Sequence, residues 1–598
     1  MAYSRRAYRR RRRMIRRLQR MIPGVVAILL IAVVVLLGVK KGWFESFSYS
    51  YDEEDLYKYF GAISDNSAVI IKDGVITDEQ IDVVNGYLYI PLSTVKERYT
   101  RRFYYDVHDN ALLYTTANEV IKAPVGGQSY TKGGQTISTP YVTCMDDGNG
   151  LMVAYDYLAL YVNLSYNLQG GNGEPYRAMI FTEWGSEQKA TVTHDQAVRK
   201  ETEKKSNILK ELEDGDTVTV LEEGENWTKV MTEDLVIGYY ETRYLDDFRT
   251  ESQLAPTPVS EPEFIDNVRD FKINLIWDMI TVQAANDYFT DRIAGQKTIN
   301  VVSPTWFMLN DSEGNMDCLA SQKYVDTAHS MGIEVWALLE NITHNDTVNM
   351  YELMSYSQKR ALLIEQLMQY VAEYKIDGIN LDIESISSEA GESYTQFIRE
   401  LSIACRQAGI VLSVDNYVPT ASSAMYDRQQ EGLFADYVII MGYDEHYGGS
   451  KESGSVASLN FVIDGMNNTL ADVPARKVIN AVPLYTRLWI ETPKTDAEIA
   501  LESVTDEFVP YKLDSQTLGM GDAKTTVANA GAVAKWDDAS GQNYAEWERN
   551  GKTYKIWLED EDSLAAKIQA MHALDVGGIA AWQMGYAGKA AWNALSKF

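Results

Sequence analysis

The hydrophobic pattern of the chain changes character along its length. Residues 21–39 carry no charge and are rich in Val, Leu and Ile. A helix rises about 1.5 Å per residue, so this run matches a hydrocarbon core roughly 30 Å thick. A core helix would be amphipathic, whereas this one is apolar on every side. Between 67 and 167, short apolar runs (68–71, 87–90, 111–115) alternate with the turn pairs Asp73-Gly74, Gly126-Gly127 and Gly133-Gly134. That spacing predicts strands, interrupted by a basic helical stretch after Pro91. Residues 187–247 repeat the pattern more tightly, with strands over 190–193, 217–221, 227–231 and 235–240. The Pro-rich, polar stretch 251–263 reads as a semi-rigid linker.

From Phe264 to Phe598 strand-like and helix-like runs alternate. Eight continuous apolar runs, at 273–277, 298–304, 332–339, 378–383, 411–416, 437–443, 478–485 and 578–582, have the character of buried parallel strands. Helical spacing separates several of them: Ile364, Leu367, Met368 and Val371, then Tyr394, Phe397, Ile398, Leu401 and Cys405 before Gly409. Eight β/α units in about 335 residues predict an α/β (β/α)8 TIM barrel.

Composition leaves this picture intact, but charge sharpens it. The chain is 45% hydrophobic and 23% charged, which excludes a disordered or fibrous protein. Lys and Arg number 55 against 85 Asp and Glu, a formal −30 that argues against nucleic acid as partner. Residues 1–20 hold ten Arg and no acid, with Lys40 and Lys41 beyond the apolar run. Without 1–41 the balance is 43 basic against 85 acidic residues, a net of −42. The Arg cluster predicts a cytoplasmic N-terminus, a membrane span over 21–39 and an extracellular remainder. Gly38-Val39-Lys40-Lys41-Gly42 is a poor cleavage site, so an uncleaved signal anchor is expected. Three cysteines (144, 318, 405) are too few for a disulfide framework. The six histidines (108, 194, 329, 344, 446, 572) show no paired-ligand spacing, and no Walker A run occurs, so neither metal nor cofactor is expected.

The fourth predicted barrel strand carries the candidate chemistry, Asp377-Gly-Ile-Asn380-Leu-Asp382-Ile-Glu384. Alternate strand residues share a face, so Asn380, Asp382 and Glu384 point one way and Ile379, Leu381 and Ile383 the other. Packing alone does not select such a polar column inside a barrel. Like charges on one face push a carboxyl pKa upward, which lets a Glu hold a proton near neutral pH.

This run resembles the D-G-x-D-x-D-x-E signature of glycoside hydrolase family 18, the chitinase and endo-N-acetylglucosaminidase family. Met441-Gly-Tyr443-Asp444 resembles the family's M-x-Y-D. Pro483-Leu-Tyr485 resembles its P-x-Y, with Thr486 where Gly is usual, and Ala581-Trp582-Gln583 closes the eighth strand. Asn380 replaces the usual Asp. That variant, together with the run Tyr554-Lys-Ile-Trp-Leu-Glu-Asp-Glu-Asp-Ser563 and Lys567, resembles the bacterial branch containing spore-cortex peptidoglycan N-acetylglucosaminidases. The resemblance covers 264–598, with 489–576 as an insertion before the eighth strand.

The resemblance implies substrate-assisted hydrolysis, in which the substrate's own acetamido oxygen is the nucleophile. Glu384 would be the general acid and then the base, Asp382 would orient the acetamido group, and Tyr443 would hydrogen-bond its carbonyl. Trp582 would floor the reacting sugar, with Asp444, Met441, Tyr485, Gln583 and Asn380 as further contacts. Asn380 cannot share a proton, so Asp382 is expected to stay more fully ionised. Residues 43–186 resemble the stalk domain of copper amine oxidases, and 187–250 resemble bacterial SH3 domains, which bind the cell wall or act as spacers. The substrate implied is a GlcNAc-containing polysaccharide, peptidoglycan first and chitin or N-glycans as alternatives. A wall-binding protein without catalysis is the reading from a different class.

Overall fold

The computed structural model describes residues 3–40, 49–501 and 509–598. Lys41, the first residues of the expected 43–186 domain and part of the expected insertion (502–508) lie outside them. The chain forms two compact units, Met1–Pro91 with Met152–Val259, and Leu92–Leu151 with Ser260–Phe598.

In the first unit, the helix Tyr3–Lys40 contains Arg10–Leu37, a segment long and apolar enough to cross a membrane. Its apolar side chains are exposed. Strand Ser67–Lys72 pairs antiparallel with Val75–Val84 and parallel with Glu174–Phe181. Asp73 and Gly74 both take positive φ, as a two-residue hairpin matching the strand twist requires. A second, antiparallel sheet of seven strands runs from Ser186 to Ser252 around Val192, Val198, Val218, Val230 and Tyr240. Its last strand, Leu245–Ser252, pairs Ser252 with Ser186, so the linker expected from 251 begins later.

The stretch 43–186, expected as one domain, is divided between the units. Its middle folds as a five-stranded antiparallel meander, Phe103–Asp106, Ala111–Thr115, Val120–Pro124, Ser129–Lys132 and Gln135–Ser138. The reason lies in its buried polar groups, whose partners are on barrel helices. We name these helices α1 (Ser357–Tyr374) and α2 (Gly391–Ala408). Arg360 of α1 donates to Asp106 at 3.1 Å and to Glu400 of α2 at 2.9 Å, and both Arg360 and Asp106 are fully buried. Gln396 donates to Thr115 at 3.1 Å.

The barrel strands are β1 (Ile273–Asp278), β2 (Val301–Leu309), β3 (Glu334–Glu340), β4 (Gly378–Asp382), β5 (Val411–Tyr417), β6 (Tyr437–Met441), β7 (Val478–Pro483) and β8 (Gly578–Trp582). Each pairs in parallel with the next, and β8 closes on β1. Inward residues such as Leu275, Trp277, Trp336, Leu338 and Ile439 pack one core. Ile379, Leu381 and Ile383 belong to the larger core shared with the helices.

Between β7 and β8 lies a five-stranded antiparallel sheet spanning Tyr485 to Leu558, backed by the helix Met520–Asn529. The insertion is therefore shorter than the expected 489–576. Asp560 and Ser563 form a capping box that starts α3 (Glu561–Ala573), a helix of the barrel proper. Just before it, buried Glu559 accepts from Lys567 at 2.6 Å, Ser563 at 2.8 Å and Gln542 at 3.0 Å. The Glu-Asp-x-x-Ser-x-x-x-Lys run is thus a cap and a buried ion pair joining insertion to barrel. Replacing Lys567 by Ala strands the Glu559 carboxylate, and urea unfolding is expected to show the barrel unit destabilised by about 3–5 kcal/mol. The double variant Glu559→Gln, Lys567→Met is expected to recover most of that loss.

Candidate functional site

The candidate residues gather at β4 and at the C-terminal ends of β6, β7 and β8. Asn380 is fully buried and uses its whole amide. Its oxygen accepts from Trp277 at 2.8 Å and Ser303 at 3.0 Å, and its nitrogen donates to Ser413 at 3.1 Å and Asp415 at 2.7 Å. An ionised Asp at 380 could not donate to Asp415 and would repel it.

Asp382 lies directly across from Glu340 of β3. Both are buried, as is Asp415 of β5, and each has one carboxylate oxygen without a protein partner. Burial pushes Asp382 well above the usual carboxylate range, and the charges of Glu384 and Glu340 push it further. Asp415 is raised by burial and by Asp382, with the Asn380 hydrogen bond opposing. Asn380 spares Asp382 one further like charge, while burial and the charges of Glu384 and Glu340 hold its pKa up.

Glu384 stands just past the end of β4 and is half-buried. Asn341 fixes its backbone from both sides, accepting from the Glu384 N–H at 2.8 Å and donating to its carbonyl at 2.9 Å. The hydroxyl of Tyr417, the last residue of β5, donates to its carboxylate at 2.5 Å. Burial raises the Glu384 pKa and the Tyr417 hydrogen bond lowers it, while Asp444 and Glu340 raise it. A cavity of about 470 Å³ opens beside Glu384, lined by Asn341, Asn345, Tyr351, Ser385 and Ser387 among others.

Tyr443 is half-buried beyond β6, its pKa raised well above the phenol range by burial and by Asp382. Its ring meets Tyr485 edge-on at 6.3 Å. Asp444 adopts a left-handed backbone (φ +58°) and accepts from the Tyr485 hydroxyl at 2.6 Å. Met441 is buried as the last residue of β6. Trp582 ends β8 with its ring 5.9 Å from Trp277, the residue that donates to Asn380. Gln583 is turned to a local task, since its side-chain oxygen caps the Gly585 N–H at 2.9 Å.

Sequence reasoning missed Glu340, Asn341, Asp415 and Tyr417. A signal existed for the last two: Ser413-x-Asp415-x-Tyr417 repeats on β5 the alternation that singled out β4. Together these groups form a buried set of carboxyls with one half-exposed member, an arrangement suited to giving and then taking a proton at Glu384.

Residues 322–587 match the model of the family described as Glycosyl hydrolases family 18. The chain is similar to an uncharacterized glycosylase, YvbX, of Bacillus subtilis (strain 168), with 25% identity over 293 residues, 46% of this chain and 78% of that one. It is also similar to the cortical fragment-lytic enzyme of the same organism, with 24% identity over 264 residues, 43% of this chain; the match spans 58% of that enzyme's length. Among solved structures, a chitinase from Chromobacterium violaceum aligns with 20% identity and a TM-score of 0.47, covering 55% of this chain and 98% of that one. The family match takes in β3 to β8 and every candidate residue named above, so the similarity covers the site itself.

Proposed function

We propose that this protein is a membrane-anchored extracellular hydrolase that cuts β-1,4 bonds following N-acetylglucosamine, with peptidoglycan as its polymer. The observation that carries the reading is half-buried Glu384 at the end of the strand that carries buried Asp382, with a phenol donor from Tyr417 and half-buried Tyr443 beyond β6. In this scheme protonated Glu384 gives its proton to the leaving glycosidic oxygen while the substrate's acetamido carbonyl oxygen attacks the anomeric carbon. The oxazolinium ion that forms keeps its N–H on Asp382 and its former carbonyl oxygen near the Tyr443 hydroxyl, a near-attack arrangement. Glu384, now a carboxylate steadied by Tyr417, takes a proton from water, and that water opens the ring with retention. Trp582 lies beneath the reacting sugar, flanked by Met441, Asp444, Tyr485 and Gln583, while Asn380 holds Asp415 and the column in place.

The choice of peptidoglycan over chitin rests on company. One relative is named a cortical fragment-lytic enzyme. The helix Tyr3–Lys40 supplies an apolar span after ten Arg, the charge bias of an N-terminus kept inside the cell. The seven-stranded sheet from Ser186 to Ser252 serves as an SH3-like module and the sheet before it as a stalk.

Glu384→Gln is expected to lower turnover of both GlcNAc oligomers and peptidoglycan by roughly 10²- to 10⁴-fold. Mass spectrometry of the wild-type peptidoglycan digest should show new reducing ends on GlcNAc. Ends on the other sugar, or cleavage confined to chitin oligomers, would refute the assignment of polymer and bond.

The pH profile has a definite sign. An acid must be protonated to act, so kcat/KM falls as pH rises through the Glu384 pKa. Tyr417→Phe removes a hydrogen bond that favours the carboxylate and should move the alkaline limb up. Glu340→Gln removes a like charge and should move the same limb down.

A further inference from the structure

We infer that residues 92–151 are a positioning element for Glu384, acting through the loop 418–427. The inference rests on the reading of Glu384 as the acid. This loop leaves the end of β5 and runs to the short helix Arg428–Phe434. The loop and the first residue of that helix hold the neighbours of the acid from two sides. The Tyr426 hydroxyl donates to the carbonyl of Ile383, the residue before Glu384, at 2.9 Å. Buried Arg428 donates to the Tyr417 carbonyl at 2.9 Å and to the Ser423 carbonyl at 3.2 Å, fixing the strand end from which Tyr417 reaches Glu384.

The far side of the loop is held by the 92–151 segment. Exposed Arg101 pairs with Asp427 at 3.3 Å, and Asp427 also caps the helix Arg428–Phe434. Buried Arg399 of α2 bridges the two parts, donating to the Arg101 carbonyl at 2.8 Å and to Gln430 at 2.7 Å. Lys96 pairs with Glu392 at 2.7 Å in the first turn of α2. Next to it a Cβ on Gly391 would lie 2.6 Å from the Met425 carbonyl, so helix and loop are in close contact. Between segment and loop lies a cleft of about 970 Å³ lined by Lys96, Arg101, Thr395, Met425, Asp427 and Arg428, among others. The Gly391–Met425 contact, the Arg101–Asp427 pair and the Arg399 bridge hold the loop across this cleft.

Burial raises the Glu384 pKa most, and the groups that face it are Asp382 of β4, Tyr417 of β5, Asp444 after β6 and Glu340 of β3. Loosening the loop frees the strand end that carries Tyr417 and so weakens its contact with Glu384, and the pH profile should move in the direction given by Tyr417→Phe.

The test uses the full chain in detergent micelles. Wild type is compared with Lys96→Ala/Arg101→Ala, with Tyr426→Phe and with the conservative Arg101→Lys. Hydrogen exchange is read by mass spectrometry, and kcat and KM are measured against pH on a fluorogenic chitobioside. In the double variant, exchange over 418–427 is expected to rise about threefold, the scale of exposed ion pairs, with 273–278 unchanged. Its kcat should fall about threefold at constant KM, with the alkaline limb displaced upward. Tyr426→Phe should give the same signature and Arg101→Lys should restore wild-type values. Unchanged exchange over 418–427 overturns the inference, and so does faster exchange with an unmoved pH profile. An inactive wild type overturns the glycosidase reading instead, and the exchange measurement then decides the coupling.

Discussion

Glu340, Asp382 and Asp415 sit on three consecutive strands of a closed barrel, each less than one tenth exposed, with Glu384 just above them. Taking an isolated carboxylate out of water costs far more than one hydrogen bond returns, so such a group either finds donors or holds a proton. The local architecture follows from that constraint. Asn380, neutral and able both to donate and to accept, stands where a further carboxyl would add to the repulsion. Trp277, Ser303 and Ser413 close its remaining bonds, which ties β1, β2, β4 and β5 into one layer.

The same constraint separates the roles of the carboxyls. Asp382 has no protein donor on its buried oxygen and its pKa is held up by burial. Glu384, half-exposed and given a phenol donor, is the member whose proton can leave toward a substrate. Two neighbouring acids thus acquire different protonation behaviour from differences in depth and donors, without any difference in functional group.

Much of this was legible in the sequence. The eight strands follow from continuous apolar runs, and their observed bounds differ mostly at the ends, as with β2, expected over 298–304 and found over Val301–Leu309. The Asn380–Asp382–Glu384 column follows from the two-residue period of a strand. What the sequence concealed was register. That Glu340 faces Asp382, or that Asp415 lies beside Asn380, depends on strand alignment that no local pattern states. The surroundings of Asp382 were hidden for this reason, since the fold adds Glu340 to Glu384, the one like charge that the strand pattern shows. The 92–151 segment was hidden more deeply. Its strands read as part of a continuous β-rich stretch, and its affiliation is written in Asp106, Thr115 and Arg101, whose partners lie hundreds of positions away.

That separation bears on the order in which the molecule can assemble. Asp106 precedes Arg360 by 254 positions, so at roughly 5–20 residues per second it leaves the ribosome about 10 to 50 seconds before its partner exists. During that interval the meander's docking face must wait uncovered. An apolar waiting surface would invite aggregation, whereas one whose anchor is an aspartate remains hydrated until the guanidinium arrives. The ion pair can therefore form only after α1 has been made, late relative to the strand that carries Asp106.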